Sequence, residues 1–421
     1  MSNTFQIGVI GAGAAGLLAA AEAARDGISV VLIEKNNKAG VKILMSGGTR
    51  CNVTHNTDAK GIVRAFGTGG RFLQPSLGAF PPKEVVEMFN RLDVPTKVEE
   101  TGKVFPVSNR AVHVRDALLK QALDRGVRLV TGQAVKTIDA PDAISATWCI
   151  HTDVESFGVD RIIVTSGGKS WPGCGTTGDG YGWLKGMGHK IVKPRPALVP
   201  LIGGSNWMNA LSGVTLSDCE VSVVTRKNDK QELLSRRRSS LLLTHHGFSG
   251  PAAMDVSGAL TAAGSFDVCQ VLLDSVPQIN ETQLRGHLND RTREGGKRSM
   301  VSLMTQWLPK RLANSFAQEL NAECTVAELP KVTCNRLIDA LKRLPLNVTG
   351  TAGFPKAEVT AGGVELEEVN PKTMESLRTP GLFIAGEVLN VDGPIGGYNF
   401  QAAFSTGRAA GIAAAKSLTY H

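Results

Sequence analysis

The sequence predicts an α/β fold in which one nucleotide-binding layer is interrupted by a long insert. Three observations predict it. A β-branched run, a glycine turn, an alanine-rich run and a second β-branched run follow one another within the first 33 residues. After Pro194-Arg195-Pro196 the texture changes to short β-like runs and then to helical periodicity. From Glu358 the alternating α/β texture returns and ends in a glycine loop and a long helix.

Phe5–Ile10 suits a buried parallel strand, Gly11–Gly16 a tight turn, Leu17–Arg25 a helix and Ile28–Ile33 the next strand. A long loop, Asn36–Thr57, precedes amphipathic helices over Lys83–Leu92 and Val112–Arg125 and a strand at Val127–Thr131. Arg161–Thr165 is a further strand, running into a second glycine-rich loop, Ser166–Gly182. Strands at Glu220–Thr225, Leu241–Thr244 and Val268–Leu273 suggest a small barrel or sandwich. Helices are expected over Ser299–Glu319, Val332–Arg343 and Gln401–Leu418, with a strand at Leu382–Ala385. The expected organisation is a Rossmann-like domain in two parts, 1–192 and 346–421. They are separated by a β-barrel-like insert, 193–280, and a helical insert, 281–345.

Composition narrows the function classes. At 421 residues, 42% hydrophobic and 20% charged, the chain is globular and long enough for two to three domains. Aromatic residues are only 5%, too few for stacked platforms that bind single-stranded nucleic acid. The seven cysteines are scattered, with no CxxC or CxxH pair, so zinc and redox-dithiol motifs are absent and a reduced, cytoplasmic setting is expected. Ile7–Ala24 is apolar, but its four glycines, Glu22 and the lack of a preceding cation argue against a signal or spanning segment, so no membrane association is expected. The formal net charge is +8, which favours anionic partners. The insert 193–345 carries +5 of it, densest at Arg226–Arg238 with six basic and two acidic residues. That patch reads either as a solvated loop or as an RNA contact.

The strongest chemical signal is Gly11-Ala12-Gly13-Ala14-Ala15-Gly16, a GxGxxG turn between strand and helix. Its first glycine permits the turn, the second lets a pyrophosphate reach the backbone, and the third allows close helix packing. Glu34 closes the second strand, where an acid accepts hydrogen bonds from a ribose 2′-hydroxyl. A second match, Gly173-Cys174-Gly175-Thr176-Thr177-Gly178, follows Pro172 with no strand running into it, and reads as a ligand-facing loop. No dedicated NAD(P) domain is therefore visible. In the loop Lys42–His55, Ser46-Gly47-Gly48 can present amides to an anion. Arg50 adds charge there, and Cys51 is either a proton donor near a reacting ring or a small packing residue. The run Gly386-Glu387 to Gly396-Gly397 leads into a helix whose N-terminus would favour negative charge. His245, in Thr244-His245-His246-Gly247, is either an acid/base residue or a structural turn histidine. No metal site is expected.

With these residues in place, the sequence resembles the BaiN/RdsA-type, aminoacetone-oxidase-like, FAD-dependent oxidoreductases. The resemblance rests on GAGAAG (11–16), KILMSGGTRCNVTH (42–55), TSGGKSWPGCGTTGDGYG (165–182), THHGFSGPA (244–252), TAGGV (360–364) and GLFIAGEVLNVDGPIGGYNFQAAFSTG (381–407). It implies an FAD domain interrupted by a β-barrel and a helical domain. Gly11, Gly13, Ala14, Ala15, Gly16, Glu34, Lys35 and Val135 would then serve the ADP half of FAD. Lys42, Ser46, Gly47, Gly48, Asn52 and Gly167 would line the pyrophosphate and flavin region, and Gly386, Glu387, Asp392, Gly397 and Asn399 the ribityl and ring end. The chain departs from the common pattern at Thr49, His55, Trp171 and Asn390. The resemblance implies NAD(P)H-driven hydride transfer to a conjugated C=C bond, with uridine in ribosomal RNA or an unsaturated small acid as substrate. The alternatives are a flavin amine oxidase using oxygen and a non-enzymatic, FAD-stabilised RNA-binding protein.

Overall fold

The computed structural model describes residues 3–141, 147–227, 230–290 and 295–418. The chain forms two compact units, one of residues 1–195 with 359–421 and one of residues 196–358.

The first unit is built on a sheet with five parallel strands, in the order Arg128–Thr131, Val30–Glu34, Thr4–Ile10, Ser156–Val164 and Leu382–Ile384. Helices cover such a sheet on both faces, so its strands need continuous apolar runs, and Val30–Glu34 is buried at every position. The register aligns the carboxyl ends: Ile10 faces Ile33 on one side and Val164 on the other, and Val164 faces Ile384. Ser156–Val164 divides its other edge, its first half pairing antiparallel with Trp148–Thr152 and its second half pairing with Leu382–Ile384. The pair Trp148–Thr152 and Val135–Asp139 is a meander that the sequence reading left out.

The helix Ala14–Ala23 is almost wholly buried, and the C-terminal helix Tyr398–Ser417 packs on it backbone to backbone. A Cβ at Gly407 would stand 2.4 Å from the carbonyl oxygen of Ala15, and one at Gly411 would stand 2.3 Å from that of Ala19. Their spacing of four puts both glycines on one helix face. This contact draws the C-terminal glycine loop to the same sheet edge as the N-terminal glycine turn.

The second unit holds a seven-stranded sheet and the helices Pro251–Ala263, Glu281–Leu288, Met300–Met304, Lys310–Glu319 and Lys331–Arg343. The stretches read separately in the sequence, 193–280 and 281–345, contribute to one apolar core, where Leu216, Val221 and Val271 of the sheet join Leu284, Phe316 and Leu337 of the helices. After the helices, Leu344–Pro345 and Val348–Thr351 return to the same sheet.

Three expectations are corrected. The helix expected over Ser299–Glu319 is two helices, because Pro309 cannot continue the first and instead caps the second. The Arg226–Arg238 patch is a β-hairpin, Thr215–Lys227 with Lys230–Thr244, where a loop was one of the two readings; Asn228 and Asp229 lie outside the described residues. The loop Asn36–Thr57 contains a one-turn helix, Val41–Met45, and a short strand, Thr54–His55.

Candidate active site

The glycine turn sits at the carboxyl ends of the parallel strands, the standard ligand edge of such sheets. Gly11 has φ +99°, and a Cβ there would lie 2.7 Å from the Thr165 carbonyl oxygen, so two strand ends touch. A Cβ at Gly16 would lie 1.8 Å from the Gly11 oxygen, which locks the helix onto the turn. A Cβ at Gly13 would meet nothing within 4 Å. The middle glycine is thus the one whose missing side chain leaves room, at the N-terminus of Ala14–Ala23, where free amides and the helix dipole favour a pyrophosphate. Glu34 is buried at the end of its strand; its Oε2 accepts from Ala12 N at 2.8 Å and its Oε1 from Asn36 N at 2.9 Å. Lys35 donates to Thr177 Oγ1 and Asp179 Oδ2, both at 2.5 Å, and ties the Ser166–Gly182 loop to this corner. Burial raises the Asp179 carboxyl, but Lys35, a hydrogen bond from Thr177 Oγ1 at 2.7 Å and the neighbouring Lys136 together hold it below its ordinary range. Val135 opens the meander strand on the far side of the sheet.

A second cluster joins three distant segments. Lys42 Nζ lies 2.6 Å from both Ser170 Oγ and Glu387 Oε2. Glu387 Oε1 accepts from Ser170 Oγ at 2.7 Å and from Thr360 N at 2.8 Å. Gly168 is held in the same knot, since a Cβ there would fall 2.3 Å from Thr360 Oγ1. Ser46 closes the short helix by donating to Ile43 O at 2.7 Å. Gly47, Gly48, Thr49 and Cys51 follow with positive φ, the left-handed region that a β-branched residue such as Thr49 adopts only under strain. Asn52 accepts from Val104 N at 3.2 Å, and its Oδ1 would be 2.7 Å from a Cβ at Gly397, so the Lys42–His55 loop and the start of the C-terminal helix are in contact.

The third part is the loop between Leu382–Ile384 and the C-terminal helix. Asn399 clamps Gly393, accepting from its N at 2.8 Å and donating to its O at 2.9 Å. The neighbouring Asp392 is half-buried; burial raises its carboxyl above the usual range, Arg195 pulls it down and Glu387 pushes it up. Gly386 has φ +80° and lies against Ala15. Gly396 and Gly397, both at positive φ, start the helix, and His55 stacks on Tyr398 with ring centroids 4.6 Å apart.

These three parts fit FAD by the chemistry of the groups they offer. Ser166 Oγ, Tyr181 Oη and Arg195 Nε are buried without a hydrogen-bond partner, and burial together with Glu387 pushes the Tyr181 hydroxyl up. Orphaned buried polar atoms, with Ser166 against Gly11 of a cradle that has room at Gly13, are what a polar ligand with hydroxyls and phosphates would satisfy. Ser166, Ser170, Tyr181, Arg195 and Thr360 escaped the residue-by-residue reading. The only signal available was that four of them sit in or beside the glycine loops at 165–182 and 360–364.

The residues read as catalytic are placed differently. Cys51 is completely buried in the apolar core and burial pushes its thiol up to about 12, which fits the packing reading. Arg50 pairs with Glu99 and lies over the Phe105 ring, 3.9 Å from its centroid. His245 is exposed in the tight turn between Lys230–Thr244 and Gly247–Ser249, within the second unit. Gly167, at φ +74°, packs against Thr176. Among the described residues no group of three histidines, cysteines or acids could hold a metal ion, and no helix is long and apolar enough to cross a membrane.

Comparison with known proteins agrees with this geometry. The family profile described as "HI0933-like protein Rossmann domain" matches residues 5–413. A 3-dehydro-bile acid delta(4,6)-reductase of Clostridium scindens is 32% identical over 98% of this chain and 99% of its own. A ribosomal RNA dihydrouridine synthase of Escherichia coli is 30% identical over 94% of this chain and 95% of its own, and its Haemophilus influenzae counterpart is 28% identical over 96% and 97%. Among solved structures, a 3-ketosteroid delta1-dehydrogenase from Sterolibacterium denitrificans aligns over 99% of this chain and 100% of its own, with a TM-score of 0.51 at 15% identity, a likeness of fold. With a glycine cradle, an acid-ended strand and a converging C-terminal loop at one sheet edge, and a family match over nearly its whole length, the chain belongs to the HI0933-like Rossmann family of FAD-dependent oxidoreductases.

Proposed function

We propose that the protein is an NAD(P)H-driven reductase that saturates a conjugated C=C bond in an anionic substrate, uridine in ribosomal RNA or an unsaturated small acid. The observation that carries this reading is the near-full-length likeness to a bile acid reductase and to dihydrouridine synthases. Both names describe saturation of a double bond conjugated to a carbonyl. Bound FAD supplies hydride transfer. The chain holds it through the Gly11–Gly16 cradle, Glu34, the Lys42–Ser170–Glu387 knot and the Gly396-Gly397 helix start. Reduction also needs a proton, and we assign it to Asp392. Its carboxyl is raised by burial, and the adjoining Gly393 is fixed by Asn399. An acid whose pKa is moved toward the working pH donates well, whereas a buried thiol near 12 donates poorly.

An anaerobic titration of the holoprotein with NADH and NADPH tests the redox half of the proposal. Bleaching of the visible flavin band by either is expected. A band that resists both and bleaches with amines would replace the reductase with the amine oxidase reading.

For an RNA substrate, the hairpin supplies the contact, but not through the arginines that dominate its sequence. Arg236, Arg237 and Arg238 face Glu220 at 3.8 Å, Asp255 at 2.8 Å and Asp218 at 2.7 Å. Arg226, Lys227 and Lys230, at the hairpin's far end, are exposed and engage no carboxylate among the described residues. Replacing these three with alanine is expected to weaken binding to a ribosomal RNA fragment and to flatten the plot of log K against log salt by about 2 to 3, roughly 0.7–0.9 per lost phosphate contact. Fluorescence anisotropy across a salt series checks it, and an unchanged slope removes the hairpin from the interface.

A further inference from the structure

The Ala14–Ala23 helix has a second charged site at its other end, about 15 Å from the cradle for ten residues of helix. A cavity of about 140 Å³ opens there between the ends of the helices Ala14–Ala23, Gly70–Ala79 and Ala111–Asp124 and the flanks of Pro82–Arg91 and the C-terminal helix. That is far more than one water needs. Four guanidinium groups line it, Arg25, Arg91, Arg125 and Arg408, against two carboxylates, Glu22 and Glu84. Glu22 is 3% exposed and already has two close partners, Arg25 Nη2 at 2.8 Å and Arg125 Nη1 at 3.1 Å. Arg125 also satisfies the Ala21 carbonyl at 2.7 Å, so part of this charge serves the helix end. Arg408 and Arg91 have looser carboxylate contacts: Arg408 Nε stands 3.9 Å from Glu22, while its Nη1 donates to Ala79 O at 3.4 Å and its guanidinium lies 5.0 Å from the Phe80 ring centroid, and Arg91 Nη1 stands 4.0 Å from Glu87.

The cavity also presents an acceptor that lacks a donor: Gln121 Oε1 is buried with no hydrogen bond. The four guanidinium groups outnumber the carboxylates beside them, Glu22, Glu84 and Glu87, which calls for an oxyanion, and the bare Gln121 acceptor calls for a ligand that donates as well. Sulfate and a phosphodiester carry only acceptor oxygens at neutral pH. A hydrogen phosphate or phosphate monoester, with a second pKa near 6–7, carries both kinds of group.

We infer that the cavity between Glu22, Gln121, Arg91 and Arg408 binds a protonatable phosphate, free or as a monoester, at a site separate from the nucleotide cradle. Arg91 and Arg408 take its charged oxygens, and its hydroxyl donates to Gln121 Oε1. The test is calorimetric titration of the FAD-loaded protein, whose cradle is already filled, with inorganic phosphate, ribose 5-phosphate and sulfate. Saturable phosphate or monoester binding at least tenfold tighter than sulfate is expected. Arg91→Ala, at an exposed position that leaves the core intact, is expected to lose at least tenfold in phosphate affinity, and Gln121→Leu to erase the preference over sulfate. Absence of saturable binding of either phosphate, or affinity unchanged in both variants, overturns the site. Sulfate binding as tightly as phosphate overturns the donor argument. Displacement of phosphate by an RNA oligonucleotide with hydroxyl ends would reassign the pocket to backbone phosphodiesters and overturn the monoester assignment.

Discussion

Gly13→Ala is expected to fold as well as the parent chain and to lose FAD, whereas Gly16→Ala is expected to lose the fold around the turn. The two glycines stand three residues apart in one motif, yet their surroundings are opposite. An added methyl at Gly13 meets no protein atom within 4 Å, and its φ of −82° suits alanine. It therefore leaves the apoprotein undisturbed and occupies the space through which a pyrophosphate approaches the amides. Affinity for FAD is expected to fall at least tenfold, with the apoprotein's Tm unchanged. At Gly16 the same methyl would lie 1.8 Å from a backbone oxygen and 2.6 Å from Thr165 Oγ1. Backbone cannot swing aside as a flexible side chain does, so the helix must shift, at a cost of about 3 kcal/mol. The ~1 kcal/mol gained from replacing a helical glycine does not offset that. Thermal melts of apoprotein, with flavin fluorescence to follow binding, separate the outcomes. A Gly13→Ala protein that keeps its FAD affinity would show that the cradle is not where the cofactor's phosphates lie.

Asp392→Asn is expected to lower turnover by roughly 10²–10³-fold with FAD retained, while Cys51→Ala keeps most of its turnover. The amide preserves the shape of the carboxyl but has no proton of suitable acidity to give. The pH dependence follows from the direction of the shift. The donor form is the protonated one, so turnover declines as pH rises through the pKa of Asp392. Burial places that limb above the ordinary carboxylate value of 3.8, and Arg195 opposes the shift. Removing the opposing charge with Arg195→Gln is expected to move the limb further to alkaline pH. A profile whose alkaline limb stays put in both the Asp392 and the Arg195 variants would exclude Asp392 as the acid. Loss of turnover in Cys51→Ala with the melt and the flavin band unchanged would restore the thiol as the donor.

The cradle was legible from the chain alone because each of its requirements is local. A strand ending in three spaced glycines, a helix with small residues and an acid at the end of the next strand all lie within residues 4–34. The backbone conformation of Gly11 and the close approach at Gly16 follow from that short stretch and from the strand beside it. The return of the chain at Glu358 and the glycine loop before the last helix were legible for the same reason.

The chemistry of the side chains was not, because it depends on partners brought together only by folding. Lys42 and Glu387 are 345 residues apart and meet at 2.6 Å. Arg236, Arg237 and Arg238 look like a free basic run in sequence, yet the neighbouring strand Thr215–Lys227 brings Glu220 to Arg236 and Asp218 to Arg238, and the helix Pro251–Ala263 sets Asp255 against Arg237. Cys51 lies in a loop dense with polar residues, yet the fold buries it completely and pushes its thiol up. Asp392 is one of two acids in its loop, and the burial that raises its carboxyl is not written in its sequence neighbours. The glycine turn, the interrupted α/β plan and the family were readable along the chain, since backbone geometry is written in neighbouring residues. Folding decided which charges are neutralised, which carboxyl is raised by burial and where arginines gather around a cavity, since ionisation depends on burial and on charges that the sequence holds far apart.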